Sequence, residues 1–508
     1  MNTKSNYTST IFAKNGTEIP VFSDGRTVDS KYNPEREAKN LISSSIKSEK
    51  DNPIYKDQSF FFIVIGIGSG TLIEKLSQEF TESKIMAVEA TDSDLQFLSK
   101  LEKIKKLKTN KNIILTDINN IECCLTNHYL PALYKKLHII EQRGWIEENK
   151  NYIKLINEKI NKAIGIISAD FSVQAHFGKI WQCNIINNLK TLISAENKLF
   201  PKIDINKTAA VVAAGPSLDL SIKKIINKRD KYFIISTDTA FSVLVNNNII
   251  PEIVISIDGQ HISHNHFSHL TKCKNTMFIM DLCSDFSTGK FLNDNNFNTV
   301  YFTSGHPLAT MANNLSNKKF LNLFSGAGTV TITSLDLALK IGFSNIEIFG
   351  ADFSYSKGKA YTKGTYFDTI FSISSSRLIS IEKQYTKLMM RTELEKISDN
   401  EYSTGILSAY KISLEQFLAD NKCSFAKEDN IYYVKSSNNA NVAQRIINLM
   451  SFPYDFDNFM ESIKNADITD LTYPLLPYIA WLKSKKNNES LKFIALLKLA
   501  QSNIVGYN

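Results

Sequence analysis

Apolar positions divide the chain into two stretches of alternating strand and helix patterns and a third in which only the helical period persists. The first alternation begins at Phe60, where FFFIVIGIG reads as a strand. Gly70–Phe80 follows as a helix, Lys84–Glu89 as a strand, Asp92–Leu101 as a helix and Asn112–Leu115 as a strand. Residues 116–165 read mostly as helix and connector. The second alternation begins near Lys207. Its strands are Ala209–Ala213, Tyr232–Ser236, Ile253–Ile257, Met277–Met280, Thr299–Phe302 and Asn345–Phe349, and Thr329–Ile341 is its clearest helix. Such alternation predicts parallel sheets with crossover helices. After about Arg377 the strand signals thin out, and 377–398, 403–420, 440–450, 455–465, 474–485 and 489–501 read as helices. Ahead of all this, residues 1–57 are polar and broken by turn residues. They hold one clear helix start, where Asn33 can cap, Pro34 suits the first helical position, and Glu35 and Glu37 favour the positive end of the dipole. The pattern predicts an α/β protein with two Rossmann-like parallel-sheet domains, 1–165 and 166–376, plus an α-helical C-terminal region, 377–508.

Composition narrows the partners. The chain has 508 residues, 43% hydrophobic and 22% charged, with a net charge of +8. Its lysines are spread out, with short clusters only at Lys103–Lys108 and Lys483–Lys486, so no basic stripe for nucleic acid is predicted. The six cysteines, at 123, 124, 183, 273, 283 and 423, show neither CxxC nor zinc-ligand spacing, which fits a reducing cytoplasm. MNTKSNYTSTIF lacks the apolar core of a signal peptide, and the longest apolar run, around Phe60–Ile67, is too short to span a bilayer. A cytoplasmic protein with no membrane span is expected.

Two strand-to-helix junctions are candidates for ligand chemistry. In the first, Gly66, Gly68 and Gly70 form GxGxG after a strand, and Glu89 ends the next strand 23 residues beyond Gly66. The arrangement resembles the cofactor loop of S-adenosylmethionine methyltransferases. No constellation for methyl transfer accompanies it, so a tight turn in a scaffold domain is the preferred reading. Asp92-Ser93-Asp94, which could pass for a metal-binding DxD, reads as a capped helix start.

The second junction, AAVVAAGPSLDLSI, gathers more. In a parallel α/β sheet, ligands bind at the carboxyl ends of the strands. The predicted ends here carry Gly215-Pro216-Ser217, Thr237-Asp238-Thr239, Asp258-Gly259-Gln260-His261, Asp281, Ser304-Gly305-His306 and Gly350-Ala351-Asp352. Two helix starts, after Ser217 and after Ser325-Gly326-Ala327-Gly328-Thr329, are expected to aim unpaired N–H groups into this rim and bind phosphate without a metal. Gly-Pro-Ser lacks a P-loop lysine, so a nucleotide with one or two phosphates is expected rather than an ATP-hydrolysing site.

The segments VVAAGPSLD, IISTDTAF, PEIVISIDGQ, SGAGTVTITSLDLALKIGFSNIEIFGADFSY and GKAYTKGT are similar to the central domain of the motility-associated factor (Maf) family, bacterial flagellin glycosyltransferases. DSKYNPEREA and FSVQAHFGKIWQCNIINN extend the likeness upstream, so that it runs in order from about 29 to 366. A looser likeness reaches bacterial sialyltransferases that use CMP-sialic acid. The resemblance implies transfer of a nonulosonic acid, pseudaminic or legionaminic in type, from a CMP-linked donor to Ser or Thr of flagellin, with no metal and no further cofactor. It implies that Gly215, Pro216, Ser217 and Leu218 lie under the CMP phosphate and ribose, and that Asp238 and Asp258 contact the donor. Gly328 and Thr329 would meet cytosine or ribose, Gly350 and Asp352 would flank the nucleotide, and Tyr355 and Tyr361 would steady the leaving phosphate. The sialyltransferases carry a downstream histidine base, whereas this chain has no histidine after His306. Asp258, Asp352 and His261 are the candidates for the base. Two rival readings stay open, an ATP-dependent enzyme like the archaeal pterin pyrophosphokinases and a non-catalytic flagellin-binding chaperone.

Three further features read as structural. His176, Phe177 and Trp181 lie on an amphipathic helix and are expected to pack. His261, His264, His266 and His269 are spaced for zinc only if helical, and no metal is expected there. The apolar face Leu491, Ile494, Leu497 and Leu499 predicts a packed C-terminal bundle or a platform that grips flagellin.

Overall fold

The structure, a computed structural model, describes residues 5–46, 59–193, 201–267, 270–326, 328–437, 452–485 and 491–506. Its contacts gather into two compact units, Met1–Gly178 with Leu476–Ala500, and Lys179–Leu475 with Gln501–Asn508.

The first unit opens with a hairpin, β1 (Tyr7–Phe12) and β2 (Glu18–Phe22). A helix follows at Pro34–Ser45, and the Asn33 side chain accepts from the Arg36 amide as its sequence foretells. The central sheet is fully parallel. It joins β3 (Phe61–Ile65), β4 (Lys84–Glu89), β5 (Ile113–Asp117) and β6 (Leu137–Glu141) in the order β5-β4-β3-β6. All of β3 is buried, which explains its unbroken apolar run in place of an alternation. Phe60, Phe61 and Phe62 are fully buried, each contributing about 2–3 kcal/mol of apolar burial. Residues 116–165 are mostly helix and connector, as expected, and strand β6 departs from that reading. It is an edge strand with a half-buried pattern, Ile140 inward and Ile139 outward, so its apolar signal is weak. Because β3, β4 and β5 step to one side and β6 returns to the other, the topological switch point lies between β3 and β6.

The second unit is built on nine strands. They are β7 (Thr208–Val212), β8 (Tyr232–Thr237), β9 (Ile253–Ser256), β10 (Met277–Asp281), β11 (Asn298–Thr303), β12 (Leu321–Asn322), β13 (Asn345–Phe349), β17 (Ser424–Glu428) and β18 (Ile431–Lys435). The order is β12-β11-β10-β9-β8-β7-β13-β18-β17, parallel as far as β13, with β18 antiparallel to β13. All six predicted strands are present. The switch point here lies between β7 and β13. A small antiparallel sheet, β14-β16-β15, joins Tyr355–Ser356, Glu401–Ser403 and Glu395–Ser398.

The C-terminal region is largely helical, with helices at Ile381–Met389, Gly405–Asp420, Phe456–Asn465, Leu476–Lys483 and Phe493–Val505. The helix predicted at 440–450 lies outside the described residues, as do residues 489–490 of the last one. Strands β15 to β18 correct the expectation that strands end near Arg377. The β17–β18 hairpin turns at Asp429 and Asn430, with φ of 48° and 60°, and these are residue types that tolerate the left-handed region. The last helix buries Leu496, Leu497, Ala500 and Ile504, while Leu491, Ile494 and Leu499 are exposed, so the predicted apolar face is rotated. No helix among the described residues is long and apolar enough to cross a membrane.

Candidate functional site

At the switch point of the second unit the turns after β7 and β13 lock together. The Gly215 amide donates to the Gly350 carbonyl at 2.8 Å. A Cβ on Gly215 would strike that carbonyl and the Asp352 carboxylate, and Gly350, at φ 65°, lies equally tight against the Ala213 carbonyl. Both glycines are thus required by backbone contact between two turns. The lock places Asp352 Oδ2 2.7 Å from the Ser217 amide, at the start of the helix Leu218–Asn227. That helix start therefore already holds an anion of the chain's own. Pro216, Ser217 and Leu218 are buried.

A cavity of about 340 Å³ opens beside this lock. Of the residues singled out from sequence, Gly215, Gly328, Thr329, Gly350, Asp352, Tyr355 and Tyr361 line it. Pro216, Ser217, Leu218, Asp238, Asp258 and His261 do not line it. Thr237, Thr239, Thr331, Ser354, Leu407 and Tyr410 complete much of the wall. Tyr410 and Leu407 come from the helix Gly405–Asp420, far along the chain, and no local motif marks them. Among the described residues the lining includes no Lys or Arg.

The second helix start is the open one. Thr329 is the N-cap of Val330–Ile341, its side chain makes no capping hydrogen bond, and the first turn carries no acid. Thr329, Val330 and Thr331 all line the cavity. Gly328, at φ 69°, delivers the chain to this start, and Ala327 lies outside the described residues.

The carboxylates separate into roles. Asp352 Oδ1 is buried without a hydrogen-bond partner. Burial raises its pKa, while the nearby Ser217 and the Lys427 charge act the other way. The Ser217 hydroxyl is close enough to contribute to this, yet it makes no hydrogen bond of standard geometry. Asp238 is buried, accepting from Ser256 Oγ and from the Thr239 amide, each at 2.7 Å, so it faces inward between two threonines that face the cavity. Asp258 accepts from the Gln260 amide at 2.9 Å, and burial, then Asp238 and Asp285, raise its pKa. His261 is exposed, with Nδ1 2.8 Å from Ser287 Oγ. Asp281 is buried and holds the Cys283 amide, with its pKa raised to about 6 by burial. His306 caps the helix Pro307–Leu315 through the Leu308 amide, and burial lowers its pKa to about 3.

The phenols are neutral donors. Burial pushes Tyr361 up to about 12 and raises Tyr355. The Arg391 charge opposes this weakly at Tyr355, Tyr361 and Tyr366. Sequence reasoning missed Arg391, and no motif surrounds it. Tyr361 also stacks on Phe367, with centroids 5.0 Å apart.

Of the helix residues expected to pack, Trp181 and Phe177 are half-buried and His176 is exposed. Trp181 meets His306 edge-on at 5.6 Å, and Phe177 meets His176 at 4.6 Å. In the same stretch Asn184 Nδ2 donates to the Gly259 and Cys283 carbonyls, and Asn188 Nδ2 to those of Leu282 and Ser284, so two asparagines one turn apart fix the loops after β9 and β10. Asp94 accepts from Ser5, Asn6 and Thr91, as a helix-start residue does. His269 lies outside the described residues, and among those described no group of three or more His, Cys, Asp or Glu is placed to hold a metal. In the GxGxG loop, Cβ atoms on Gly66 and Gly68 would collide with Trp145 and Asp29.

With this geometry in hand, the chain can be set beside known proteins. Residues 183–358 match the family described as 6-hydroxymethylpterin diphosphokinase MptE-like. Three uncharacterized proteins of Treponema pallidum (strain Nichols) are similar in sequence. One is 38% identical over 136 residues, covering 27% of this chain and 64% of that protein. The others are 29% and 24% identical, covering 42% and 46% of this chain and 69% and 40% of their own lengths. The chain thus spans less than two thirds of the first of these relatives. Among solved structures, a Maf glycosyltransferase from Magnetospirillum magneticum AMB-1 is similar over 99% of this chain and 91% of its own, with a TM-score of 0.56 and 12% identity. At that identity the likeness is one of fold, and it is the fold that the sequence resemblance implies.

Proposed function

We propose that the chain is a glycosyltransferase that moves a nonulosonic acid, pseudaminic or legionaminic in type, from a CMP-linked donor to Ser or Thr hydroxyls of flagellin in the cytoplasm. The observation that carries this is the cavity at the β7/β13 switch point. It is walled by hydroxyls and an uncapped helix start, in a fold shared with a Maf glycosyltransferase. A CMP-sugar has one phosphodiester, and a wall with no Lys or Arg among its described residues suits a single negative charge better than a triphosphate.

In this scheme the acceptor oxygen forms a bond to the anomeric carbon as the bond from that carbon to the phosphate oxygen breaks. The sugar passes through an oxocarbenium-like state, as in other glycosyl transfers. CMP leaves with the bonding electron pair. The amides at Thr329–Thr331 and the neutral phenols of Tyr355 and Tyr361 receive the growing charge, with Arg391 nearby. The phosphate is assigned to the Thr329 start rather than to Ser217, where Asp352 already sits. The acceptor proton passes to the carboxyl of Asp352, a residue that lines the cavity and whose buried Oδ1 makes no hydrogen bond. No step calls for a metal.

The match to the pterin diphosphokinase family over 183–358 supports a second reading, pyrophosphoryl transfer from ATP in the same cavity. Thermal-shift titration separates the two. CMP stabilises the transferase, ATP with Mg²⁺ the kinase, and neither stabilises a non-catalytic flagellin binder. CMP release from a CMP-nonulosonate, dependent on purified flagellin, is the direct assay. Its absence, with ATP binding in its place, would overturn the transferase reading.

A further inference from the structure

The GxGxG loop of the first unit sits where a doubly wound sheet places a nucleotide, at the carboxyl end of β3 beside its switch point with β6. The space is occupied. Trp145 arrives from the short helix Arg143–Glu148, just after β6 and so across the switch point, and it is fully buried. A Cβ on Gly66 would lie 2.6 Å from Trp145 Cβ and Cγ, so the glycine at φ 89° exists to let the tryptophan side chain lie against the loop. The Trp145 indole N–H donates to Glu89 Oε1. Glu89 is the acid at the end of β4 that would take ribose hydroxyls in a dinucleotide site. Its other oxygen accepts from Tyr7 Oη at 3.2 Å and from the Ile67 amide. Asp29 supplies the anion, accepting from the Ser69 amide and from Ser69 Oγ, each at 2.7 Å, at the start of the helix Thr71–Glu79. A planar N–H heterocycle and a carboxylate therefore fill the base and phosphate places of the cradle, and both come from the chain.

We infer that Trp145 is the resident occupant of a nucleoside-type cradle, holding from within the place of a planar heteroaromatic ligand with an N–H donor, so that this unit takes no diffusible cofactor while Trp145 is in place. Removing the side chain opens a site for that ligand class. The inference does not depend on the chemistry proposed for the other unit.

The probes are indole and adenosine, added to the full chain and to Trp145→Gly in thermal-shift and calorimetric titrations. The wild type should respond to neither. Trp145→Gly should melt lower, and saturating indole should raise its melting temperature by roughly 3 °C or more. Stabilisation of the wild type by adenosine or S-adenosylmethionine that persists with CMP and ATP at saturation would overturn the inference, and so would a folded Trp145→Gly unmoved by indole. If Trp145→Gly does not fold, Trp145→Phe keeps the ring plane and loses the N–H. It should fold, melt below the wild type and stay silent to adenosine, and a melting temperature at or above wild type would show that the indole–Glu89 bond does not hold the cradle shut.

Discussion

The two units carry the same device in opposite states. Each has a parallel sheet whose strand order reverses beside its first strand, β3/β6 in one and β7/β13 in the other, and each reversal is marked by glycine-rich turns. At β3/β6 the glycines admit the chain's own Trp145, and Glu89 and Asp29 close around it. At β7/β13 the glycines admit backbone and the Asp352 carboxylate, and a hydroxyl-lined cavity remains beside them. Glycine in such a turn therefore reports close approach and does not say what approaches. What distinguishes a scaffold from a site is whether the side chain that crosses the switch point fills the space, as Trp145 does, or leaves a cavity beside it, as Asp352 does.

The largest expected effect is at Asp352. Asp352→Asn keeps an oxygen for the Ser217 amide but cannot take a proton, so kcat/KM for transfer should fall by roughly 10²–10⁴-fold, with CMP stabilisation retained. In the wild type, burial raises this carboxyl's pKa, so activity should be present at high pH and be lost on acidification at a pH above the ordinary carboxylate range. A pH profile with no such acid limb, or full activity in Asp352→Asn, would remove Asp352 from the proton transfer.

The closed cradle predicts a stability signature instead of a rate. Burial, the largest influence, raises Glu89 from 4.5 to about 7. The folded chain then binds a proton that the unfolded chain has released, so stability falls as pH rises from about 4.5 towards 7 and is flat beyond. The size is about 3 kcal/mol from this group. Asp29, raised from 3.8 to about 6, adds to the same slope at its lower end. Glu89→Gln should flatten the upper part of the slope, read as urea midpoints between pH 5 and 8. An unchanged slope would mean that Glu89 is ionised at neutral pH beside the indole.

Much of the fold was legible because both sheets bury their central strands on two faces, which writes long β-branched runs into the sequence. The runs around Val211, Ile234 and Ile255 needed no tertiary information. Strand β6 escaped because Ile139 faces out at an edge. The β17–β18 hairpin escaped although Asp429-Asn430 between KE and IYYV is a local turn signature, so that omission was avoidable. The site was half legible. Strand ends and helix starts follow from topology, so Gly215, Thr329, Gly350 and Asp352 could be placed on one rim. That Asp352 caps Ser217 across 135 residues could not be read, nor that Tyr410 and Arg391 return from the C-terminal region, because no local period encodes such contacts.

A third experiment makes the open site imitate the closed one. Thr329→Trp plants a tryptophan at the mouth of the cavity, beside the helix start assigned to phosphate. Because Thr329 is only half-buried, the melting temperature of the free protein should hardly move. The dissociation constant for CMP should rise at least about tenfold, a loss of about 1.4 kcal/mol, read by thermal shift or calorimetry. Unchanged CMP affinity would place the nucleotide elsewhere on the rim.

The smallest expected effect tests where the rim stops being a site. His261 was a candidate base because it follows Asp258 at the end of β9. It is instead exposed and held by Ser287, outside the cavity wall. His261 is exposed, its Nδ1 3.6 Å from the buried Asp285 carboxylate, and a base must reach the proton it removes within hydrogen-bond range. His261→Ala should therefore leave kcat/KM within about threefold of wild type and its pH profile unshifted. A loss approaching that of Asp352→Asn would mean that the acceptor hydroxyl enters from the β9 side, and Asp258, raised by burial and by its acidic neighbours, would then replace Asp352 as the proton acceptor.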